Sequence, residues 1–343
     1  MLPVLSVLPD ERLSLIPERI LVTGATGFVG SHVTARLTAA VGAPDGRTGP
    51  EGPVRPALRL LTHRRALPGH AGGAPAGVET VTGDLTDPAS LRGICEGVTT
   101  VVHLAARIGG TEEECRAVNT EGTRALLAEA ARAGVRRFVH LGTAAVYRDE
   151  PHRGEAEGLL AEEPVSATSV TRLEGERLVL AAGGVVVRPH LVYGRGDTWM
   201  VPALVDLMGR LPYWVDGGRA RLSMISADAL ADALVDLARL PGRLAGQVLH
   251  ACHPEPVSAR ELVTTVGEAL GVPLPERDVT PEEACARLSA AGDPVTRRRI
   301  SLLAVDHWYD GSRLWKLVGA EPGPGLPEGF AGYAPWYREH MGR

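Results

Sequence analysis

One stretch constrains this chain more than any other. It runs Arg19-Ile20-Leu21-Val22-Thr23-Gly24-Ala25-Thr26-Gly27-Phe28-Val29-Gly30-Ser31-His32. Ile20 to Val22 is a short apolar run of the kind buried in a strand. Gly24, Gly27 and Gly30 follow it. Val29, Val33 and Leu37 then recur every four residues, the spacing of one helical face. Strand, glycine turn and helix, in that order, form the setting of a dinucleotide-binding motif. The glycines have separate tasks. One lets the chain turn sharply, one lets the backbone approach a pyrophosphate, and one lets the helix sit close to the sheet. Free N–H groups at the start of the helix then face the phosphates.

Composition narrows the partners. The chain has 343 residues, enough for one large or two ordinary domains. Its net charge is −5 and it has no basic cluster, which argues against a nucleic-acid partner. No run approaches the length of a membrane span. Met1 to Leu5 lack a basic flank and soon meet Asp10 and Glu11, so no secretory signal is expected. Cys95, Cys115, Cys252 and Cys285 lie far apart with no metal-like pairing. They read as reduced thiols of a cytoplasmic protein, and no metal is expected.

The spacing Thr23-Gly24-x-x-Gly27-x-x-Gly30 resembles that of the extended short-chain dehydrogenase/reductase superfamily, which includes nucleotide-sugar epimerases and many ketoreductases. The resemblance continues along the chain. Asn119-Thr120-Glu121-Gly122-Thr123 is similar to its N-x-x-G-T element. Arg188-Pro189-His190-Leu191-Val192-Tyr193-Gly194-Arg195-Gly196-Asp197 is similar to its R-P-x-x-V-Y-G-x-G-D segment. It implies an α/β fold: a doubly wound parallel sheet of Rossmann type with a smaller C-terminal substrate domain. The expected division is a dinucleotide-binding domain of residues 19–195 and 227–250 and a substrate domain of 196–226 and 251–343.

The resemblance also assigns residues. Gly24, Thr26, Gly27, Phe28 and Val29 would hold the dinucleotide. Asp84 and Leu85, ending the third strand, would contact the adenine. Leu104, Ala105 and Ala106, ending the fourth, would approach the cofactor closely. Pro189 and Val192 would meet the nicotinamide end. His103, inside a buried strand, reads as structural. Thr143 takes the place of a catalytic Ser or Thr four residues before the Tyr of a V-Y pair, and Tyr147 reads as packing.

The second strand, Ala57 to Leu61, bears on the cofactor's identity. An acid near its end would hold the ribose 2′-hydroxyl of NAD. No Asp or Glu occurs between Val54 and Val78; the strand instead ends in Thr62-His63-Arg64-Arg65. Basic side chains at His63, Arg64 and Arg65 suit a 2′-phosphate through charge and a bidentate fork. NADPH/NADP+ is therefore favoured over NADH. Solvated arginines on a loop are the other reading.

The superfamily pairs a catalytic Tyr with a Lys four residues later, on one helical face. Here the matching stretch is Ser166 to Arg177, with Thr168 at the Tyr position and Arg172 at the Lys position. Arg172 could still bind ribose hydroxyls. Thr168 cannot replace a phenol of pKa about 10 as acid. Lysine is almost absent from the chain, with Lys316 alone, so coding bias covers Lys-to-Arg but not Tyr-to-Thr. Three readings compete: a reductase with another proton source, a non-catalytic NADP(H)-binding sensor, and, ranked last, a sugar-nucleotide epimerase or dehydratase.

All five tryptophans lie beyond residue 198, which fits packing of the smaller domain. A cleft floored by Trp199 and Met200 would also suit a flat aromatic small-molecule substrate. A substrate phenol beside the ketone could stand in for the missing Tyr, and His190 is the spare donor in the protein, since imidazole titrates near neutrality. This pattern resembles the atypical ketoreductases of actinomycete aromatic polyketide pathways that act on angucyclinones. Nothing in the sequence fixes the oligomeric state.

Overall fold

The computed structural model describes residues 18–42, 57–63, 75–242, 244, 246–288 and 294–342. Seven strands form the central sheet: β1 (Ile20–Thr23), β2 (Leu58–Thr62), β3 (Val78–Thr82), β4 (Thr100–His103), β5 (Arg137–Leu141), β6 (Val185–Pro189) and β7 (Gln247–Ala251). Their order is 3-2-1-4-5-6-7. Each pairing from β3 across to β6 is parallel. The order reverses between β1 and β4, which creates a crevice at the carboxyl ends of those strands.

The strand sequences explain their places. All four residues of β1 are buried, as a parallel strand covered on both faces requires. Its register, Ile20 with Leu58 of β2 and with Thr100 of β4, puts Thr23 beside His103. β3 closes one edge, with Val78 buried, Val81 half-buried and Thr80 and Thr82 exposed. Helices α1 (Phe28–Gly42), α3 (Thr123–Arg132) and α4 (Ala167–Ala181) pack on the sheet, and α2 (Glu112–Arg116) packs against α4. Between α2 and α3 the chain makes a π-helical turn, Ala117–Gly122. Leu21, Val101, Leu126, Phe138, Val179 and Val186 centre the apolar core of this unit.

From the sequence alone, Pro88 to Glu96 reads as a short helix leading into β4, and the structure has less of it. Pro88 to Glu96 forms only a 3-10 turn, Pro88–Leu91, capped by Asp87. Gly93 adopts φ +82 and stops it, and its N–H donates to Glu129 Oε1 at 2.8 Å.

The chain divides into two compact units. The first comprises residues through Arg148, Ala161–Arg188 and Ala231–Leu249. The second comprises Asp149–Leu160, Pro189–Leu230 and His250–Arg343. The sequence-based boundaries put 149–160, 189–195, 227–230 and His250 in the nucleotide domain, whereas here they cluster with the second unit.

In that second unit, a four-stranded sheet joins Val257–Ser258, Arg221–Leu222, His307–Tyr309 and His152–Glu155. Helix α5 (Met200–Arg210) begins at the end of the glycine-rich Tyr193 to Asp197 run. The buried Asp197 carboxylate accepts the N–H groups of Trp199, Met200 and Val201 and the Tyr337 hydroxyl. Tyr337 Oη in turn accepts from Gly194 N at 2.9 Å. One acid therefore fixes both the turn and the helix start. Among the described residues, no helix is long and apolar enough to cross a membrane.

Candidate active site

In the first unit, a cavity of about 560 Å³ opens at the carboxyl ends of β1, β2, β3 and β4. Gly24, Thr26 and Gly27 line it from the β1–α1 turn, His63 from the end of β2, and Asp84 and Leu85 from the end of β3. Leu104, Ala105 and Ala106 line it from the end of β4. The structure thus brings together most of the residues that the motifs single out. It also adds Arg107, Glu114, Ala117 and Val118, which the sequence reading passed over.

The three glycines differ in what excludes a side chain. Gly24 has φ +69, and a Cβ there would lie 2.6 Å from the Ala105 nitrogen. A Cβ on Gly30 would lie 1.9 Å from the Gly24 carbonyl oxygen, so that glycine lets α1 start against the turn. A Cβ on Gly27 would meet only that same oxygen, at 3.2 Å, and Gly27 faces the cavity. Gly24 and Gly30 serve the fold of the turn, while Gly27 leaves a bare cradle. Phe28 and Val29 are not among the lining side chains; Val29 is buried and Phe28 packs edge-on to His32 at 6.1 Å. Any part they take is through the main chain at the start of α1.

Where the cavity meets the ends of β2 and β3, His63 Nε2 lies 3.1 Å from Asp84 Oδ2. Thr62 pairs with Thr82 in register, so the residues just beyond them meet. Asp84 Oδ1 also accepts from the Thr86 N–H and hydroxyl, at 2.9 and 2.8 Å. A carboxylate does stand beside the end of β2, brought in by β3, although β2 itself carries none. Arg64 and Arg65 lie outside the described residues.

His103 is fully buried and bridges Thr23 Oγ1 at 2.6 Å and Thr123 Oγ1 at 3.0 Å. The Thr123 hydroxyl donates to the Asn119 carbonyl, so it accepts from His103 Nε2–H, and Nδ1 accepts from Thr23. Burial pushes the imidazole down to about 3, so it is neutral and structural.

At the end of β5, the Thr143 N–H donates to Glu176 Oε1 at 3.1 Å. Thr143 Oγ1 accepts from the Ala145 N–H at 3.1 Å, which leaves its proton free to donate. Glu176 is wholly buried and paired with Arg188, whose Nη2 lies 2.7 Å from Oε2. Burial raises the Glu176 carboxyl, and Arg188 pulls it back. A Cβ on Gly142 would stand 2.2 Å from Glu176 Oε1, so glycine is needed there. Tyr147 is buried with the Arg188 guanidinium 5.0 Å from its ring centroid, a packing role as expected.

Helix α4 carries Thr168 and Arg172 four residues apart. Thr168 Oγ1 accepts the Gly109 N–H at 3.0 Å. Arg172 departs from the expected ribose-binding role. Its Nη2 donates to the Leu141 and Gly142 carbonyls at 2.9 and 2.7 Å, and it does not line the cavity. Burial lowers its pKa, with Glu176 opposing. The guanidinium caps the carbonyls of Leu141, the last residue of β5, and of Gly142 just beyond it.

Pro189, His190 and Val192 belong to the second unit. There His190 packs among rings, 5.8 Å from His307 and 5.5 Å from Tyr309 between centroids. Burial, then His307, press its pKa to about 3. It is uncharged at neutral pH and lacks the imidazolium proton that a donor role needs. Among the described residues, no group of three His, Cys, Asp or Glu is placed to hold a metal.

Residues 20–247 match the model of the NAD dependent epimerase/dehydratase family. The chain belongs to that family. A 2-alkyl-3-oxoalkanoate reductase of Stenotrophomonas maltophilia is 29% identical over 343 residues, covering 91% of this chain and 97% of the relative. A 4-hydroxy-2-methyl-3-oxo-4-farnesyl-3,4-dihydroquinoline-1-oxide ketoreductase of Stigmatella aurantiaca is 29% identical, covering 74% of each. A dTDP-glucose 4,6-dehydratase of Streptomyces venezuelae, solved with NAD bound, shares the fold with a TM-score of 0.69. It is 24% identical, covering 94% of this chain and 98% of that one. The bare face of Gly27, the small residues ending β4 and the open carboxyl edge of the sheet fit the nicotinamide dinucleotide of this family.

Proposed function

We propose that the protein is an NADPH-dependent ketoreductase of the extended short-chain dehydrogenase/reductase type, acting on an aromatic polyketide ketone of angucyclinone kind. The observation that carries this reading is the pairing of a cavity lined by the dinucleotide motif with a helix α4 that has neither Tyr nor Lys at the two positions where the superfamily carries its pair. Thr168 stands where the superfamily has its Tyr, and its oxygen is occupied by the Gly109 N–H. Arg172 stands at the Lys position and is spent on the carbonyls of β5. The relatives named as ketoreductase and 3-oxoacid reductase support reduction of a ketone over epimerisation.

The chemistry divides as follows. When bound, the dinucleotide would supply the hydride for the carbonyl carbon. Thr143, with its hydroxyl proton free, orients the carbonyl oxygen. A phenol of the substrate, hydrogen-bonded to the same oxygen, gives its proton to the forming alkoxide. The phenoxide then takes a proton from water. A ketone becomes an alcohol, and no protein acid is consumed. The depressed pKa of His190 supports assigning the proton to the substrate. His63, Arg64 and Arg65 are the proposed 2′-phosphate ligands, and Pro189 and Val192 the proposed nicotinamide contacts.

Methylating the phenol beside the ketone tests this. The methyl ether should bind and not be reduced. Reduction at the normal rate would place the proton source in the protein or solvent. Cofactor binding without turnover across a broad ketone panel would favour a sensor.

A further inference from the structure

The cavity poses an electrostatic problem. A dinucleotide brings a doubly charged diphosphate, and the lining holds two carboxylates, Asp84 and Glu114. Among the described lining residues, Arg107 is the only arginine or lysine. It directly follows the small residues that end the β4 segment.

The main chain of Arg107 is clamped. Its N–H donates to Asn119 Oδ1 at 2.7 Å, and its carbonyl accepts from Asn119 Nδ2 at 3.0 Å. Its side chain is held only lightly. Nη2 lies 3.2 Å from Glu114 Oε2, and Nε donates to the Gly109 carbonyl at 3.2 Å. The two charged side chains are 44% and 52% exposed, so solvent screens the pair and it is readily exchanged. Gly110 makes the pair possible. It has φ +102, and a Cβ there would lie 2.4 Å from Glu114 Oε2 and 3.1 Å from Arg107 Nη2. Glu114 is itself fixed by the capping box of α2, in which its carboxylate accepts the Thr111 N–H.

A fixed backbone, an exchangeable guanidinium and an anchored counter-ion together make an ion-exchange device. We infer that Arg107 is a clamp for the cofactor diphosphate, held by Glu114 before binding and transferred to the phosphates on binding. The exchange is favourable because a diphosphate offers the guanidinium two parallel charge-assisted hydrogen bonds, where Glu114 offers one oxygen. This inference rests on the cavity being the dinucleotide site.

Calorimetric titrations of the purified protein with NADP+, NAD+, ADP and 2′-AMP test it, with thermal unfolding as a check on folding. Arg107→Ala should raise Kd for NADP+, NAD+ and ADP alike by about tenfold. It should leave 2′-AMP within about twofold and flatten the salt dependence. Arg107→Lys should recover part of the loss. Glu114→Gln removes the competing anion and should tighten ADP about threefold. The assignment is overturned if Arg107→Ala leaves ADP binding unchanged, or if Glu114→Gln weakens it. A wild-type protein that binds none of the four ligands would overturn the cofactor site itself, a separate outcome.

Discussion

The Thr168 hydroxyl oxygen accepts the Gly109 N–H at 3.0 Å. Thr168, which the family resemblance sets at the tyrosine position, therefore ties the segment after β4 to helix α4. Losing one such bond costs about 1 kcal/mol of stability. Thr168→Ala should thus lower the melting temperature slightly while turnover stays within about threefold, because an aliphatic hydroxyl is too weak an acid to carry the reaction. Thr143→Ala should lose at least about tenfold in kcat/KM, through poorer orientation of the carbonyl. Paired steady-state kinetics and thermal melts check both. A collapse of kcat in Thr168→Ala with an intact melt would make that hydroxyl catalytic.

The cofactor preference is expected to lie in the basic run after β2. NADPH should bind about tenfold or more tightly than NADH, and Arg64→Ala should remove most of that difference. Tryptophan fluorescence titrations read both affinities. His63→Ala should contribute less, since His63 already faces Asp84 at 3.1 Å. Equal affinities in the wild type would end the claim.

The fold was legible because its signals are local. Ile20 to Leu37 states strand, turn and helix within eighteen residues, and the buried apolar runs of β4, β5 and β6 need no partner to be recognised. Residues 88–96 misled because one glycine, Gly93, takes a left-handed conformation that composition does not reveal. The site was legible where motif residues line the cavity through backbone or small side chains, as at Gly27, Ala105 and Ala106. It was not legible where a role depends on which way a long side chain turns. Arg172 caps carbonyls of β5 and Arg107 faces the cavity, yet nothing in the order of residues distinguishes the two guanidiniums. The capping box of Thr111 and Glu114 could have located α2 and, with it, the partner of Arg107.

Acid should destabilise the protein well before its carboxylates titrate. Burial pushes His103 to about 3 and His307 to about 4, and holds His140 well below the usual histidine range. Each is near 6.5 in the unfolded chain. Below that value the unfolded state binds protons that the native state refuses, so stability falls as pH falls. The contribution is complete above about pH 6.5 and is lost towards pH 4, at up to about 1.4 kcal/mol per pH unit for each group. Urea unfolding at a series of pH values should show this slope. His140→Phe should flatten it with little loss at neutral pH, because neither His140 ring nitrogen makes a well-formed hydrogen bond. An unchanged slope in that variant would mean that His140 is protonated in the native state.

The last two glycines of the motif, Gly27 and Gly30, should respond to alanine in opposite ways. At Gly30 an added Cβ would overlap the Gly24 carbonyl oxygen, at 1.9 Å, and backbone on both sides prevents relief. Gly30→Ala should therefore cost at least about 3 kcal/mol and lose folding and binding together. At Gly27 the added Cβ meets a single oxygen at 3.2 Å and otherwise points to open space. The backbone there is not in the left-handed region, so alanine is tolerated. Gly27→Ala should fold with a melting temperature within about 3 °C of wild type. Its methyl group would occupy the cradle, and affinity for NADP+ should fall by about tenfold or more. Circular dichroism melts set against calorimetric titrations separate the two effects. If Gly27→Ala binds NADP+ normally, the bare face of Gly27 is not where the cofactor approaches the turn.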